Sequence, residues 1–250
     1  ILALTDFRYN HAGDLPAKIG VGGRKRFSNG TWTSGFIITG TPVRNVGDGD
    51  VALIVDRKTG CVFAVWSGDK GYQGGAGSIS TAENPAHVYF SRSWDNGESW
   101  EDRHDITHFI YSNLCTKCND FRKNNITRLF VSSGNGCQMR DGTLVFAVLA
   151  YEITNNAQHN YVLYTKDMGD TWDLSEGPTK GETDEAKLVE LNNGDLMISI
   201  RRTWERSQQY SKDLGKTWKF GAQSCTGGDE TKVVELNNGS IIMDIRTNGK

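Results

Sequence analysis

The chain has 250 residues, with 28 Lys and Arg against 30 Asp and Glu, a formal net charge of −2. That length suits one large all-β domain or two small ones, and the near-neutral balance without a polybasic run argues against nucleic acid as a partner. No apolar stretch approaches the length needed to cross a bilayer, and no signal segment is visible, because Ile1-Leu-Ala-Leu4 already reads as a strand. Glycine is abundant at 29 residues, proline is scarce at 4, and there are 7 Trp. Many tight turns packed by aromatic rings fit a protein of short strands.

Taken in chain order, one unit recurs. Arg26-Phe-Ser-Asn-Gly-Thr-Trp32 is an eroded first copy of a turn motif, one residue short and without its aspartate. Val51-Ala-Leu-Ile-Val55 and Cys61-Val-Phe-Ala-Val65 flank a turn as a hairpin does, and the strand-like His87-Val-Tyr-Phe90 leads into Ser93-Trp-Asp-Asn-Gly-Glu-Ser-Trp100. Residues 136–148 form a second hairpin turned at Asp141-Gly142, and Tyr161-Val-Leu-Tyr164 leads into Thr165-Lys-Asp-Met-Gly-Asp-Thr-Trp172. Residues 184–201 turn at Asn192-Asn-Gly194 and precede Ser211-Lys-Asp-Leu-Gly-Lys-Thr-Trp218. Residues 229–246 repeat that hairpin around Asn237-Asn-Gly239.

The shared turn reads Ser/Thr-x-Asp-x-Gly-x-Ser/Thr-Trp. Its aspartate accepts backbone N–H bonds, its glycine takes the left-handed backbone, and its tryptophan gains a fixed place against the strand pair. Asp95, Asp167 and Asp213 are therefore structural. A unit of hairpin, third strand, turn and fourth strand is a propeller blade. The sequence holds one partial blade, three full blades and the start of another, with no linker between them. We expect one all-β domain over residues 1–250, and an incomplete one, because a ring short of blades leaves open strand edges.

Other motifs carry less. Cys115 and Cys118 form a CxxC, but a structural zinc site needs a second pair with suitable spacing, so no metal is expected. His104 and His108 are four apart without the glutamate of a zinc protease between them, and read as surface residues. Asn29-Gly-Thr, Asn125-Ile-Thr and Asn238-Gly-Ser are triplets of the glycosylation type, common by chance, which would mean surface loops if the protein passes through a eukaryotic secretory route.

The repeated turns match the Asp boxes of sialidases, and the residues between them resemble that family across essentially the whole chain. The segment from Leu2 to Asp14 is similar to one in which a strand ends in a substrate-binding arginine and a catalytic aspartate follows six residues later; Arg8 and Asp14 fall on those positions. Ser133-Gly-Asn-Gly136 and its following hairpin resemble the blade before the third box. Glu185 comes about a dozen residues after Trp172, and Arg201 sixteen after Glu185, as in the family. Asp50 resembles an aspartate that contacts a hydroxyl of the sugar, with Val51 standing where the family usually has proline.

This resemblance implies a six-bladed β-propeller of four-stranded antiparallel blades, of which the chain is the catalytic domain short of its first blade edge and last blades. It implies an exo-α-sialidase that cleaves terminal sialic acid with retention. Sialic acid is ionised at neutral pH, and a guanidinium matches its carboxylate with paired, charge-assisted bonds. Arg201 is the expected middle member of three arginines that clamp it, and Arg8 a further arginine for a ring hydroxyl. Sialidases use a tyrosine nucleophile in place of a carboxylate; Glu185 would be the base that activates it and Asp14 the acid that protonates the leaving oxygen. The first clamp arginine, the third and the tyrosine have no match here, so the isolated 250 residues are expected not to turn over substrate.

Alternatives stand beside each reading. Glu230 and Arg246 repeat the Glu185 and Arg201 pattern; the earlier pair is preferred because it directly follows the third box and precedes a fourth. Either arginine could instead make a surface salt bridge. Trp66 and Tyr72 could wall an N-acetyl pocket or simply pack in core and loop. For the whole, the alternatives are a trans-sialidase, or a non-catalytic Asp-box propeller that binds glycans or proteins. The implied partners are sialylated glycoproteins, glycolipids or oligosaccharides, with no cofactor, in a secreted, extracellular or periplasmic setting.

Overall fold

The hairpins read from the sequence form, and they gather into separate antiparallel sheets. The computed structural model describes residues 1–10, 12–40, 47–72, 86–110, 126–152, 156–181, 183–202, 205–221, 224–226 and 231–245. The first sheet is β1 (Leu2–Arg8), β2 (Ile19–Lys25) and β3 (Phe36–Thr39). The second is β4 (Gly47–Val55), β5 (Val62–Asp69), β6 (Ala86–Ser93) and β7 (His104–Asp105), followed by a single helical turn, α1 (Thr107–Ile110). Then come β8 (Ile126–Val131), β9 (Gly134–Asn135), β10 (Cys137–Gln138), β11 (Leu144–Glu152), β12 (Ala157–Thr165) and β13 (Asp173–Leu174). A further sheet holds β14 (Ala186–Glu190), β15 (Leu196–Arg201), β16 (Glu205–Ser211), β17 (Lys219–Phe220) and β18 (Ser224–Thr226), and the last is the pair β19 (Thr231–Glu235) and β20 (Ile241–Ile245).

The inner sheets bury both faces. Along β11, Leu144, Phe146, Val148 and Ala150 join a cluster with Phe63 and Phe90 of the sheet before, while Val145 and Ala147 join one with Leu188, Ile198 and Trp218 of the sheet after. A third cluster links Val21 on β2 to Val51, Ala64 and Trp66. Successive side chains on a strand point to opposite faces, so each sheet can be glued to both neighbours. This is how the blades of a β-propeller stack, and the order of one partial, three full and one starting blade agrees with the sequence.

Two strands are split, which the repeat pattern does not announce. Both β8 and β10 pair with the same edge of β11; between them β9 leaves its own blade and runs parallel to β4, with Gly134 beside Ala52. Likewise β17 and β18 share one edge of β16. The three full blades are thus four-stranded, two of them with a split edge strand, and one of these two is strapped to its neighbour.

Each Asp box closes the third and fourth strands of its blade. At Asp167, Oδ1 accepts Thr165 Oγ1–H and the Thr171 N–H, both at 2.9 Å, and Oδ2 accepts Thr171 Oγ1–H at 2.5 Å. The residue before each glycine also takes a positive φ, at Asn96 (60°), Met168 (61°) and Leu214 (54°). Two left-handed residues in succession are the signature of a type I′ turn, a demand beyond the single glycine expected. Trp172 is 1% exposed, lies 5.3 Å from Phe90 and 5.9 Å from Phe146, and so bolts two blades together. Trp172→Ala should cost about 3–5 kcal/mol of stability, read from urea unfolding of the full-length protein. The eroded copy occupies the equivalent turn between β2 and β3, where Asn29 Oδ1 accepts from Thr31, but its Trp32 is 47% exposed and bolts nothing.

His104 and His108 lie on the surface as read. Among the described residues Cys61 and Cys137 are free thiols; Cys115, Cys118 and Asn125 lie outside them. No helix among the described residues is long and apolar enough to cross a membrane.

Candidate active site

The five residues singled out by the resemblance converge from three sheets and a loop. Arg8 ends β1, opposite Ile19. Its Nη1 donates to the carbonyls of Ala12 at 2.9 Å and Gly13 at 2.5 Å, and reaches Asp14 Oδ1 at 2.9 Å. One guanidinium therefore shapes the loop that presents Asp14, whose side chain is 65% exposed.

Asp50 is aimed by an irregularity in β4. The register passes from Gly49↔Ser67 to Ala52↔Val65, two residues against one, which is a β-bulge, a device that redirects a side chain. Asp50 takes a φ of 59° there; Asp enters this region more readily than most L-residues. No proline precedent is needed for the turn.

Glu185 and Arg201 are brought together by a hairpin. The β14–β15 register ends at Ala186↔Ile200, so the next rung sets Glu185 opposite Arg201, whose N–H donates to the Glu185 carbonyl at 2.8 Å. A separation of sixteen residues is what that hairpin length requires. Arg201 Nη1 lies 3.4 Å from Glu185 Oε2, and Nε 3.8 Å from Asp184 Oδ2.

These groups share a cavity of about 570 Å³, with Asp6 and the Ser133–Gly134 segment also in its wall. The strap beside β4 is fixed here: Ser132 Oγ accepts the Ala186 N–H at 3.2 Å, and Lys187 Nζ donates to the Ser133 carbonyl. Asp6 is the lining acid that the motif does not single out; only its place two residues before Arg8, on the same face of β1, could have flagged it. Asp184 was likewise visible only as the neighbour of Glu185. Of the earlier pair of aromatics, Trp66 is fully buried core. Tyr72 instead lines a side cavity of about 80 Å³ with Leu15, Phe130, Asp14, Asp50 and Glu185, its hydroxyl donating to Gln158 Oε1 at 2.6 Å. Glu230 and Arg246 lie outside the described residues.

The cavity is crowded with acid. Burial first, then repulsion from Asp6, Glu185 and Asp14, pushes the Asp50 carboxyl up to about 7, with Arg8 opposing. Burial also raises Asp6, against the N–H bond from Asp50. A carboxyl raised in the folded state holds its proton more tightly than the unfolded chain does, so its contribution to stability is lost as pH rises from about 4 to about 7. Asn is neutral and at ease in the left-handed region. Asp50→Asn in the full-length protein should therefore unfold later than the parent at pH 8, by on the order of 1–3 kcal/mol, and the gap should close by pH 4; urea titrations at both pH values check this.

Residues 29–246 match the family model described as a BNR repeat-like domain. The chain belongs to that family. A sialidase of Bacteroides fragilis (strain YCH46) is 29% identical to this BNR-repeat chain over 232 residues, which cover 87% of the chain and 40% of the relative. The solved Hadza microbial sialidase Hz136 aligns with a TM-score of 0.80 at 26% identity, over 97% of this chain and 49% of that one. The leech intramolecular trans-sialidase, solved with 2,7-anhydro-Neu5Ac, shares the fold with a TM-score of 0.75 at 16% identity, over 99% of this chain and 54% of its own. The BNR-repeat chain thus spans about half the length of the proteins it matches.

Proposed function

We propose that these 250 residues are one continuous part of the propeller of an exo-α-sialidase, which releases terminal sialic acid from glycoproteins, glycolipids or oligosaccharides with retention of configuration. The observation that carries this reading is the meeting of Arg8, Asp14, Asp50, Glu185 and Arg201 in one cavity. A pure binding module could use the arginines, but has no need of Asp14 and Glu185 beside them.

In this reading Arg201 pairs with the sugar carboxylate, while Arg8 and Asp50 hold ring hydroxyls. Asp14, open to solvent, gives its proton to the leaving oxygen and later takes one from water. Glu185 accepts the phenolic proton of a tyrosine that attacks the anomeric carbon, and that tyrosine comes from polypeptide outside these residues. A neutral phenol suits the task because a carboxylate nucleophile would face the substrate's own carboxylate. The described lining residues hold four acids, Asp6, Asp14, Asp50 and Glu185, and two cations, Arg8 and Arg201. An anionic sugar needs more positive charge than that, which fits further arginines from the same outside polypeptide and a proton on Asp50. No metal or cofactor enters the scheme, and substrates of this kind place the enzyme in a secreted or periplasmic setting.

Proton NMR of the full-length protein acting on sialyllactose tests the proposal. Retention predicts α-sialic acid first, relaxing later to the β anomer. Initial β product contradicts retention, new glycosidic or anhydro products identify transfer, and no reaction with any terminal sialoside overturns the enzyme reading.

A further inference from the structure

The scheme above leaves one partly buried acid of the cavity without a task. Asp6 and Arg8 leave β1 on the same side, and Asp6 Oδ2 stands 3.6 Å from Arg8 Nη2. Its other oxygen, Oδ1, accepts the backbone N–H of Asp50 at 3.1 Å. Asp50 and Val51 are the two bulge residues set against one residue of β5, where the regular ladder is broken, and a backbone N–H shielded from water needs an acceptor. Gly49 allows the close approach: a Cβ built there would stand 3.3 Å from Asp6 Oδ2.

The left-handed backbone at Asp50 is uphill for any residue with a side chain and persists only where its surroundings hold it. Here the holder is a side chain from another blade. We propose that Asp6 is a positioning residue, which ties the arginine of β1 to the bulge of β4 and so fixes the directions of both Arg8 and Asp50 in the cavity. The proposal rests on the sialidase reading for what those two groups do, though the tie itself does not. The charged groups facing Asp50 are Asp6 and Arg8 from β1, Asp14 from the following loop, and Glu185 at the start of β14.

Asp6→Ala removes both ends of the tie. Asp6→Asn keeps an oxygen for the bulge but removes the charge beside Arg8, and Asp6→Glu is too long for the space that Gly49 leaves. In the full-length protein, Asp6→Ala is expected to raise KM for sialyllactose tenfold or more while kcat changes less than threefold, because the groups it releases bind ring hydroxyls in ground and transition state alike. Asp6→Asn should recover part of the loss, and Asp6→Glu should not. A second readout needs no substrate: in a carboxyl-labelled NMR titration, the Asp50 resonance should titrate at lower pH in Asp6→Asn than in the parent, because one repelling charge is gone. Unchanged KM together with an unchanged Asp50 titration in Asp6→Asn overturns the proposal, and that variant decides if Asp6→Ala does not fold. If the parent protein cleaves no sialoside, the sialidase reading fails, and the titration alone then decides the tie.

Discussion

Glu185→Gln in the full-length protein is expected to lower kcat for a sialoside by about 10²–10⁴-fold, the usual cost of losing a general base. Glutamine has the same shape and keeps an oxygen for Arg201 Nη1, which stands 3.4 Å from Glu185 Oε2, and the backbone bond from Arg201 N–H is untouched. What disappears is the ability to take a proton from the attacking phenol. The loss should therefore fall on kcat and kcat/KM alike, with KM moving by less than about threefold. Steady-state kinetics beside a melting curve separates this from unfolding. Activity within tenfold of the parent would remove Glu185 from the mechanism and pass the role to Glu230, whose surroundings repeat the same motif.

Asp14→Asn should show a loss that depends on the leaving group. Asparagine can still accept from Arg8 Nη1, the contact that measures 2.9 Å in the parent, so the loop it sits on keeps its tie. It cannot protonate a departing oxygen. For sialyllactose, whose leaving alkoxide needs that proton, kcat/KM should drop by about 10²–10⁴-fold. For a nitrophenyl sialoside, which leaves as a stable phenolate, the drop should stay below about tenfold while glycosylation limits the rate. Equal losses on both substrates would mean that Asp14 only shapes the loop.

The blades were legible in the sequence because their turns make a local demand. An aspartate that caps its own turn, a glycine at a left-handed position and a tryptophan with a fixed seat must recur wherever the turn recurs, and they do at Asp95, Asp167 and Asp213. The pairing of Glu185 with Arg201 was legible for a similar reason: hairpin length alone makes residues sixteen apart into cross-strand neighbours. The convergence of Arg8, Asp14 and Asp50 was legible only through resemblance, since nothing local ties a loop after β1 to a bulge in β4. The bulge itself left no residue signal, because Val51 gives no hint of a backbone irregularity. Asp6 escaped notice because the backbone N–H it accepts belongs to Asp50, more than forty residues away, and the strap formed by β9 escaped because two residues are too few to show a period. Trp66 and Tyr72 could not be told apart as pocket or core from the sequence, where both are aromatic residues near one strand end; burial separates them.

The most direct test of the account is a crystal structure of the full-length protein with sialic acid bound. The sugar is expected in this cavity, its carboxylate within hydrogen-bond reach of the Arg201 guanidinium, a ring hydroxyl on Arg8 or Asp50, and the Asp14 carboxyl on the side where an aglycone would leave. Sugar bound elsewhere on the propeller with this cavity unfilled, or in the cavity with its carboxylate turned away from Arg201, would contradict it.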